Sequence, residues 1–201
     1  GLGGKDCALI NWRVFGSGGN ARFPGRFIAP EFSGAAAPGF RNHLEQKAIF
    51  RASRAVVGFG QKGIHRPLVS RTAIWTHQDV VVGAGGLMSE DSTVNRRWLE
   101  GSNNNRTSKV FPAEFGWTLA QINHYMVRTP EFFALKRVRG RGAYPNPEGG
   151  SNRRHTPAFF TENDRNEDVD QSILIWQDRV TEEIDRLLQF PGVAVAKAAS
   201  D

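Results

Sequence analysis

The 201-residue chain carries a formal charge of +6, and its 39% hydrophobic residues are enough for one domain with a core. Its single cysteine, Cys7, excludes an internal disulfide and any metal site built from cysteines, and it fits a reducing compartment. No apolar stretch approaches the roughly 20 residues that cross a bilayer, so we expect a cytoplasmic protein, at most peripheral to a membrane. A strand-like run follows Gly1 almost at once, without a starting methionine or targeting segment, so we interpret the chain as part of a longer protein.

The first predicted strand covers residues 7–14, where a continuous apolar run gives way to the alternating Trp12 and Val14. The glycines that follow predict a turn whose backbone a ligand can approach closely. An aromatic ring beside such a turn is a platform for a sugar ring, and plain core packing of Trp12 is the alternative. The candidate sugar-binding residues are Trp12, Phe15, Gly16, Ser17 and Gly18.

The middle of the chain predicts a loop or short helix over 25–41, which could close over a site and which contains Glu31. Further along, Pro67 favours an extended Arg66, so His65 is expected at a strand end. Four short strands are predicted at 47–51, 54–58, 72–76 and 79–82, of which the last two can pair, and a short helix at 94–99.

A second helix is predicted to begin at Pro130, with Thr129 as its cap, and to end before Gly140. Its last turn carries the cations Lys136, Arg137 and Arg139. These charges either complement the helix dipole or hold phosphates, which guanidinium and ammonium groups bind well. A dense polar group just upstream favours the phosphate interpretation. It consists of Asn123, His124, Tyr125 and Arg128.

Residues 143–160 hold three prolines and several glycines and asparagines, so they are predicted to be a mobile linker. Beyond them, apolar residues recur every three or four positions. This spacing predicts an amphipathic helix from Asp168 to the Pro-Gly at 191–192, packed on the domain or on a partner. Acidic residues near its start are either metal ligands or acids at the positive end of a helix. They are Asp164, Glu167, Asp168 and Asp170.

Three motifs together resemble a known family. The first is Ile-Asn-His-Tyr at 122–125, followed by Thr129, a Glu-Phe pair, Lys136 and the Arg-Gly at 139–140. The second is the Trp and Phe-Gly-Ser turn within 11–19, and the third is Gly-Ile-His-Arg-Pro at 63–67. They resemble motifs of GT-A-type glycosyltransferases, namely bacterial family 2-like enzymes and the related family 92 group. The resemblance spans about residues 5–190.

That resemblance implies an α/β fold, a partial GT-A-type (Rossmann-like) mixed sheet with flanking helices and a C-terminal amphipathic helix. Residues 1–142 would form the C-terminal half of the catalytic domain, 143–160 a linker, and 161–201 a helical segment packing on the domain. The implied activity is metal-dependent transfer of a sugar from a nucleotide-sugar donor to a glycan or other hydroxyl acceptor. The implied cofactor is Mn²⁺ or Mg²⁺.

Individual residues receive roles from the same resemblance. His65 would ligate the metal, and Glu31, by its position after the glycine turn, would be the base that deprotonates the acceptor. The donor diphosphate would be bound by Lys136, Arg139, His124 and Tyr125. No Asp-x-Asp motif of the kind these enzymes use precedes Trp12, so we expect it upstream of Gly1 and expect the chain alone to be inactive.

Two other classes of function fit the sequence. Seven basic and two acidic residues lie between 128 and 154, so a nucleic-acid-binding module could use the patch at 136–154. Its stacking residues would be Phe132, Phe133 and Tyr144. The third class is a structural or partner-binding domain that uses the apolar stripe of the last helix.

Overall fold

A computed structural model describes residues 6–23, 28–54, 56–58, 68–69, 75–77, 80–82, 116–117, 120–139 and 155–199. Within these ranges the fold is mixed α/β, a sheet of parallel and antiparallel strands with flanking helices. The strands are β1 (Cys7–Phe15), β2 (Gly34–Ala35), β3 (Gln46–Phe50), β4 (Val56–Gly58), β5 (Leu68–Val69), β6 (Trp75–His77), β7 (Val80–Val82), β8 (Ile122–Tyr125) and β9 (Asp168–Val169).

Five α-helices lie in the described ranges, one before β2 in the sequence and four after β8. They are α1 (Ile28–Glu31), α2 (Pro130–Arg139), α3 (Pro157–Asn163), α4 (Gln177–Leu188) and α5 (Pro191–Ala198), with 3₁₀ turns at Arg41–Leu44 and Ser172–Trp176. None of the helices in the described ranges is long and apolar enough to cross a membrane.

Strand β1 is the centre of the sheet. Along one edge its first half pairs antiparallel with β3, and its end pairs antiparallel with β2. Along the opposite edge the first half pairs parallel with β6, and the second half pairs parallel with β8. Beyond β2 lies β9, so a segment from the C-terminal part of the chain completes this side of the sheet.

The core lies on one face of β1 and β8. Side chains alternate across a strand, so Trp12 and Val14 point to the same face. They pack there with Met126, Val127 and Phe133, all 5% exposed or less. Helices α2 and α3 cover this face. By the same alternation the odd-numbered residues of β1, including Arg13, point to the opposite face.

Helix α2 confirms the sequence prediction of its start. The Thr129 hydroxyl oxygen accepts a hydrogen bond from the Phe132 amide at 3.2 Å, and Pro130 is the first helical residue. Helix α3 repeats this arrangement, because the Thr156 hydroxyl oxygen accepts from the Phe159 amide at 3.1 Å. The prediction of a linker over 143–160 is therefore wrong from residue 157 onward.

Several other sequence predictions are confirmed within the described ranges. These are the strand at 7–14, the glycine turn after it, the strands at 47–51 and 54–58, and the pairing of the last two predicted strands as β6 and β7. The prediction that the last helix begins at Asp168 is wrong, because 168–169 form β9 and the α-helix begins only at residue 177. The predicted end of that helix before Pro191 is confirmed, because α4 ends at Leu188, and Pro191 then begins α5. The helix predicted at 94–99 lies outside the described residues.

An ion pair with Arg13 holds the segment around Asp168 against the sheet. Its side chain is 4% exposed, and its Nη2 lies 2.5 Å from an Asp168 carboxylate oxygen and its Nε 3.2 Å from one of Asp170. The guanidinium also lies over the Trp117 ring, 4.4 Å from its centroid. A buried guanidinium requires opposite charge nearby, and the two carboxylates come from Asp168 in β9 and from Asp170 directly after it.

We predict that Arg13→Met lowers the free energy of unfolding by roughly 3 kcal/mol, because Asp170, 12% exposed, loses its buried counter-charge. The measurement is chemical denaturation monitored by circular dichroism. The control is Arg186→Met, since the pair of Arg186 with Glu183 is more than half exposed and should leave the midpoint nearly unchanged. Equal stability of Arg13→Met and the natural chain would contradict the prediction.

The ion pair of Arg13 and Asp170 leads us to predict that the fold loses stability in acid. Burial raises the pKa of Asp170, but hydrogen bonds from Ser172 and Gln121 and the Arg13 charge outweigh it, so the pKa lies below its usual value. A carboxyl with a depressed folded-state pKa stabilises the fold above about pH 4 and loses this effect as the pH falls through the folded pKa. The stability difference between the natural chain and Arg13→Met should therefore shrink from pH 6 to pH 3. A constant difference across this range would contradict the prediction.

Candidate functional site

A cavity of about 480 Å³ lies between the end of β8 and the outer side of α2. It opens to solvent on the side of Leu135 and Val138, whose side chains are 61% and 84% exposed. Its lining residues are Tyr125, Met126, Val127, Arg128, Phe132, Leu135, Lys136, Val138 and Arg139. The resemblance implies that Tyr125, Lys136 and Arg139 share one site, and the structure brings these three together in the lining of this cavity.

The cavity is cationic. Arg128, Lys136 and Arg139 line it, and none of its described lining residues is acidic. Burial lowers the pKa of the Arg128 guanidinium, and the nearby positive charge of Arg139 lowers it further. Two like charges held towards one another favour a negatively charged ligand between them.

Lys136 and Arg128 are each fixed by a second contact. The Lys136 ammonium donates a hydrogen bond to the Met126 carbonyl at 2.7 Å, so it ties α2 to the end of β8. The Arg128 guanidinium lies over the Phe132 ring, 4.8 Å from the centroid. Both cations are therefore held against the wall of the cavity before any ligand arrives.

Arg128 also has an unusual backbone. Its φ of 54° places it in the left-handed region, which residues with a Cβ atom adopt at a cost. The conformation turns the chain between β8 and the cap of α2 and brings the Arg128 side chain into the cavity. The sequence places Arg128 in the polar group without indicating a role for it, because a single residue between a strand and a helix cap carries no signal for φ.

His124 does not line this cavity, although its neighbour Tyr125 does. In the parallel register Val14 lies opposite His124 and Phe15 opposite Tyr125. Trp12 and His124 stack on the core face with ring centroids 3.8 Å apart, whereas Phe15 and Tyr125 meet on the other face at 5.0 Å. The alternation of β8 thus separates the two residues that the resemblance had placed together.

Trp12 and Phe15 are buried. Trp12 is 5% exposed and Phe15 is completely covered, so neither ring offers an open face beside the glycine turn. Of the two interpretations of Trp12, the structure supports core packing.

The glycine turn is covered by residues 164–166. The Ser17 amide donates to the Asp164 carboxylate at 2.6 Å, and the Gly18 amide donates to the Asn166 side-chain oxygen at 2.7 Å. At Gly16, an added Cβ would lie 2.5 Å from the Arg165 carbonyl oxygen. Because Gly16 has no side chain, the backbone of Arg165 can approach it closely.

The acidic residues of this segment have protein partners. Asp164 accepts from the glycine turn, and Asp168 and Asp170 neutralise Arg13. Interpreting them as acids at a helix start is wrong, because this part of the chain is extended and includes β9. The two carboxylates of Asp168 and Asp170 meet at one guanidinium, that of Arg13.

His65, the predicted metal ligand, lies outside the described residues. Among the residues that are described, no three His, Cys, Asp or Glu side chains form a group that could hold a metal ion. Glu31 ends α1, and its carbonyl accepts from the Asn20 side chain at 3.1 Å, which places its backbone beside the glycine turn.

No protein-family model, curated protein or solved structure that was compared with the chain matches it. The geometry of the cavity and the motifs of the sequence therefore carry the functional interpretation.

The contact of residues 164–166 with the turn gives a prediction. Gly16→Ala should destabilise the fold by roughly 1–3 kcal/mol, because the new methyl group would overlap the backbone of Arg165 and force it to shift. Gly39→Ala is the matched control, since its added Cβ meets nothing within 4 Å. Thermal denaturation of both variants is the measurement, and equal melting temperatures would show that the contact is not close.

Proposed function

We propose that the chain is part of a metal-dependent glycosyltransferase, which moves a sugar from a nucleotide-sugar donor to a glycan or other hydroxyl acceptor. The observation that carries the proposal is the cavity in which Arg128, Lys136 and Arg139 converge without an acidic residue in its described lining. The motifs that resemble GT-A-type enzymes supply the reaction, and the cavity supplies a place for the donor diphosphate.

The cavity suits the leaving group of this reaction. A nucleoside diphosphate gains negative charge as its bond to the sugar breaks, and fixed cations stabilise that charge. The guanidinium groups of Arg128 and Arg139 can each donate two parallel hydrogen bonds to phosphate oxygens, while Lys136 acts as a point charge. Because Arg128 and Lys136 are already held in place, their side chains lose little conformational freedom on binding.

The metal and the base belong to the same proposal. In this proposal a divalent ion would be held by His65, as the resemblance implies, together with ligands outside the residues that the structure describes. Glu31 stays the proposed base, by its place beside the glycine turn.

Nucleic-acid binding is supported less well by the described residues. Phe133 is 5% exposed within the core, so it cannot stack on a base. Phe132 already carries Arg128 over its ring and the Phe23 ring against its edge. The rest of the patch proposed for this function, residues 140–154, lies outside the described ranges.

The test is calorimetric binding of UDP and GDP to the chain and to three variants. Arg139→Gln should weaken binding about ten- to a hundredfold, because a charge-assisted hydrogen bond is lost. Arg128→Gly should do the same while keeping or raising stability, since glycine adopts a φ of 54° without strain.

Arg137→Gln is the matched control, because Arg137 is exposed on the same turn of α2 but does not line the cavity. It should bind both nucleotides nearly as the natural chain does. Equal losses in all three variants would indicate attraction to the overall charge, and unchanged binding in Arg128→Gly and Arg139→Gln would contradict the proposed site.

A further inference from the structure

A row of hydrogen bonds runs along the face of β8 opposite the core and ends at the cavity. The Gln121 side-chain nitrogen donates to an Asp170 carboxylate oxygen at 3.0 Å and to the Asn123 side-chain oxygen at 2.8 Å. The Asn123 side-chain nitrogen then donates to the Tyr125 hydroxyl oxygen at 3.4 Å. The row therefore links the ion pair of Arg13 and Asp170 to a residue that lines the cavity.

Donors and acceptors in this row point in one direction. Ionised Asp170 can only accept, so the NH₂ group of Gln121 must face it. The same NH₂ group reaches Asn123, so the Asn123 oxygen must face Gln121 and its own NH₂ group must face Tyr125. The oxygen and nitrogen of a side-chain amide have nearly the same shape, so each amide could be placed in either of two orientations. The charge of Asp170 decides between them for both Gln121 and Asn123.

The last step concerns the proton of Tyr125. Its hydroxyl oxygen accepts from Asn123, so its own O–H is directed elsewhere. Within the described ranges this O–H has no acceptor, and Tyr125 lines a cavity that also holds Arg128 and Arg139. A hydroxyl donor among cations completes a site for a group that only accepts hydrogen bonds.

We propose that the row from Asp170 to Tyr125 orients the Tyr125 hydroxyl as a hydrogen-bond donor to a phosphate oxygen in the cavity. Gln121 and Asn123 are then positioning residues, which act on the ligand through Tyr125. The inference rests on the proposed function, since it assumes an anionic phosphate in the cavity, and it adds a neutral donor to the cations there. It also gives the C-terminal segment, through Asp170, a part in ligand binding.

The first experiment is a double-mutant cycle measured by calorimetry, with inorganic pyrophosphate as the probe. Tyr125→Phe should weaken binding about tenfold, because a hydrogen bond to a charged acceptor is lost. Asn123→Leu should weaken it about threefold, since the hydroxyl is then free to turn away. In the Tyr125→Phe background, Asn123→Leu should have no further effect.

Two results of this cycle would overturn the inference. The first is that Asn123→Leu weakens binding by the same factor in both backgrounds, because Asn123 would then act through the fold and not through Tyr125. The second is that either single variant binds as tightly as the natural chain.

A second measurement does not depend on ligand binding. Burial raises the pKa of Tyr125 and the nearby charge of Asp170 raises it further, whereas the hydrogen bond from Asn123 and the charge of Arg128 lower it. In Asn123→Leu the pKa should therefore rise, which a ¹³C-tyrosine titration can follow with Tyr144, the one other tyrosine, as internal reference.

The two measurements separate the possible failures. If the natural chain does not bind pyrophosphate but the Tyr125 pKa rises in Asn123→Leu, the proposed function fails and the hydrogen-bonded row stands. If the pKa of Tyr125 does not move, the row itself is contradicted, whatever binds in the cavity.

Discussion

The buried charge of Arg13 is the constraint on which the rest of the structure depends. Arg13 lies in the central strand, on the face opposite the core, where a guanidinium without opposite charge would be very unfavourable. Asp168 and Asp170 supply that charge from more than 150 positions away in the sequence. Their contact brings β9 to the sheet and residues 164–166 over the glycine turn. The C-terminal segment is therefore part of the sheet and of the turn, rather than only a helical segment that packs on the domain.

The alternation of two parallel strands divides the molecule into a core face and a polar face. In β1 and β8, Trp12 and His124 stack on the face that α2 and α3 cover. On the other face, Arg13 and Asn123 lie opposite one another in the register, and Tyr125 follows at the strand end. This division explains why the cavity receives Tyr125 but not His124. It also explains how the ion pair of Arg13 and Asp170 is connected to the cavity by Gln121, directly before β8, and by Asn123 and Tyr125 of β8.

Local signals in the sequence were sufficient for some elements and insufficient for others. Thr129 and Pro130 predicted α2 correctly, because a cap and a first-turn proline act within a few residues. The same Thr-Pro pair at 156–157 begins α3, but its setting among glycines and asparagines favoured a linker. Asp168 and Asp170 resembled acids at a helix start, since their partner Arg13 is remote in sequence and no local pattern reveals it.

The most direct test of the cavity as an anion site is an NMR titration of the arginine Nε–H signals with pyrophosphate. The signals of Arg128 and Arg139 should move together along one saturating curve, because both guanidinium groups line the same cavity. The signal of Arg13 should stay in place, since its Nε–H is bonded to Asp170. Small, non-saturating shifts shared equally with Arg137 and Arg186 would contradict a defined anion site.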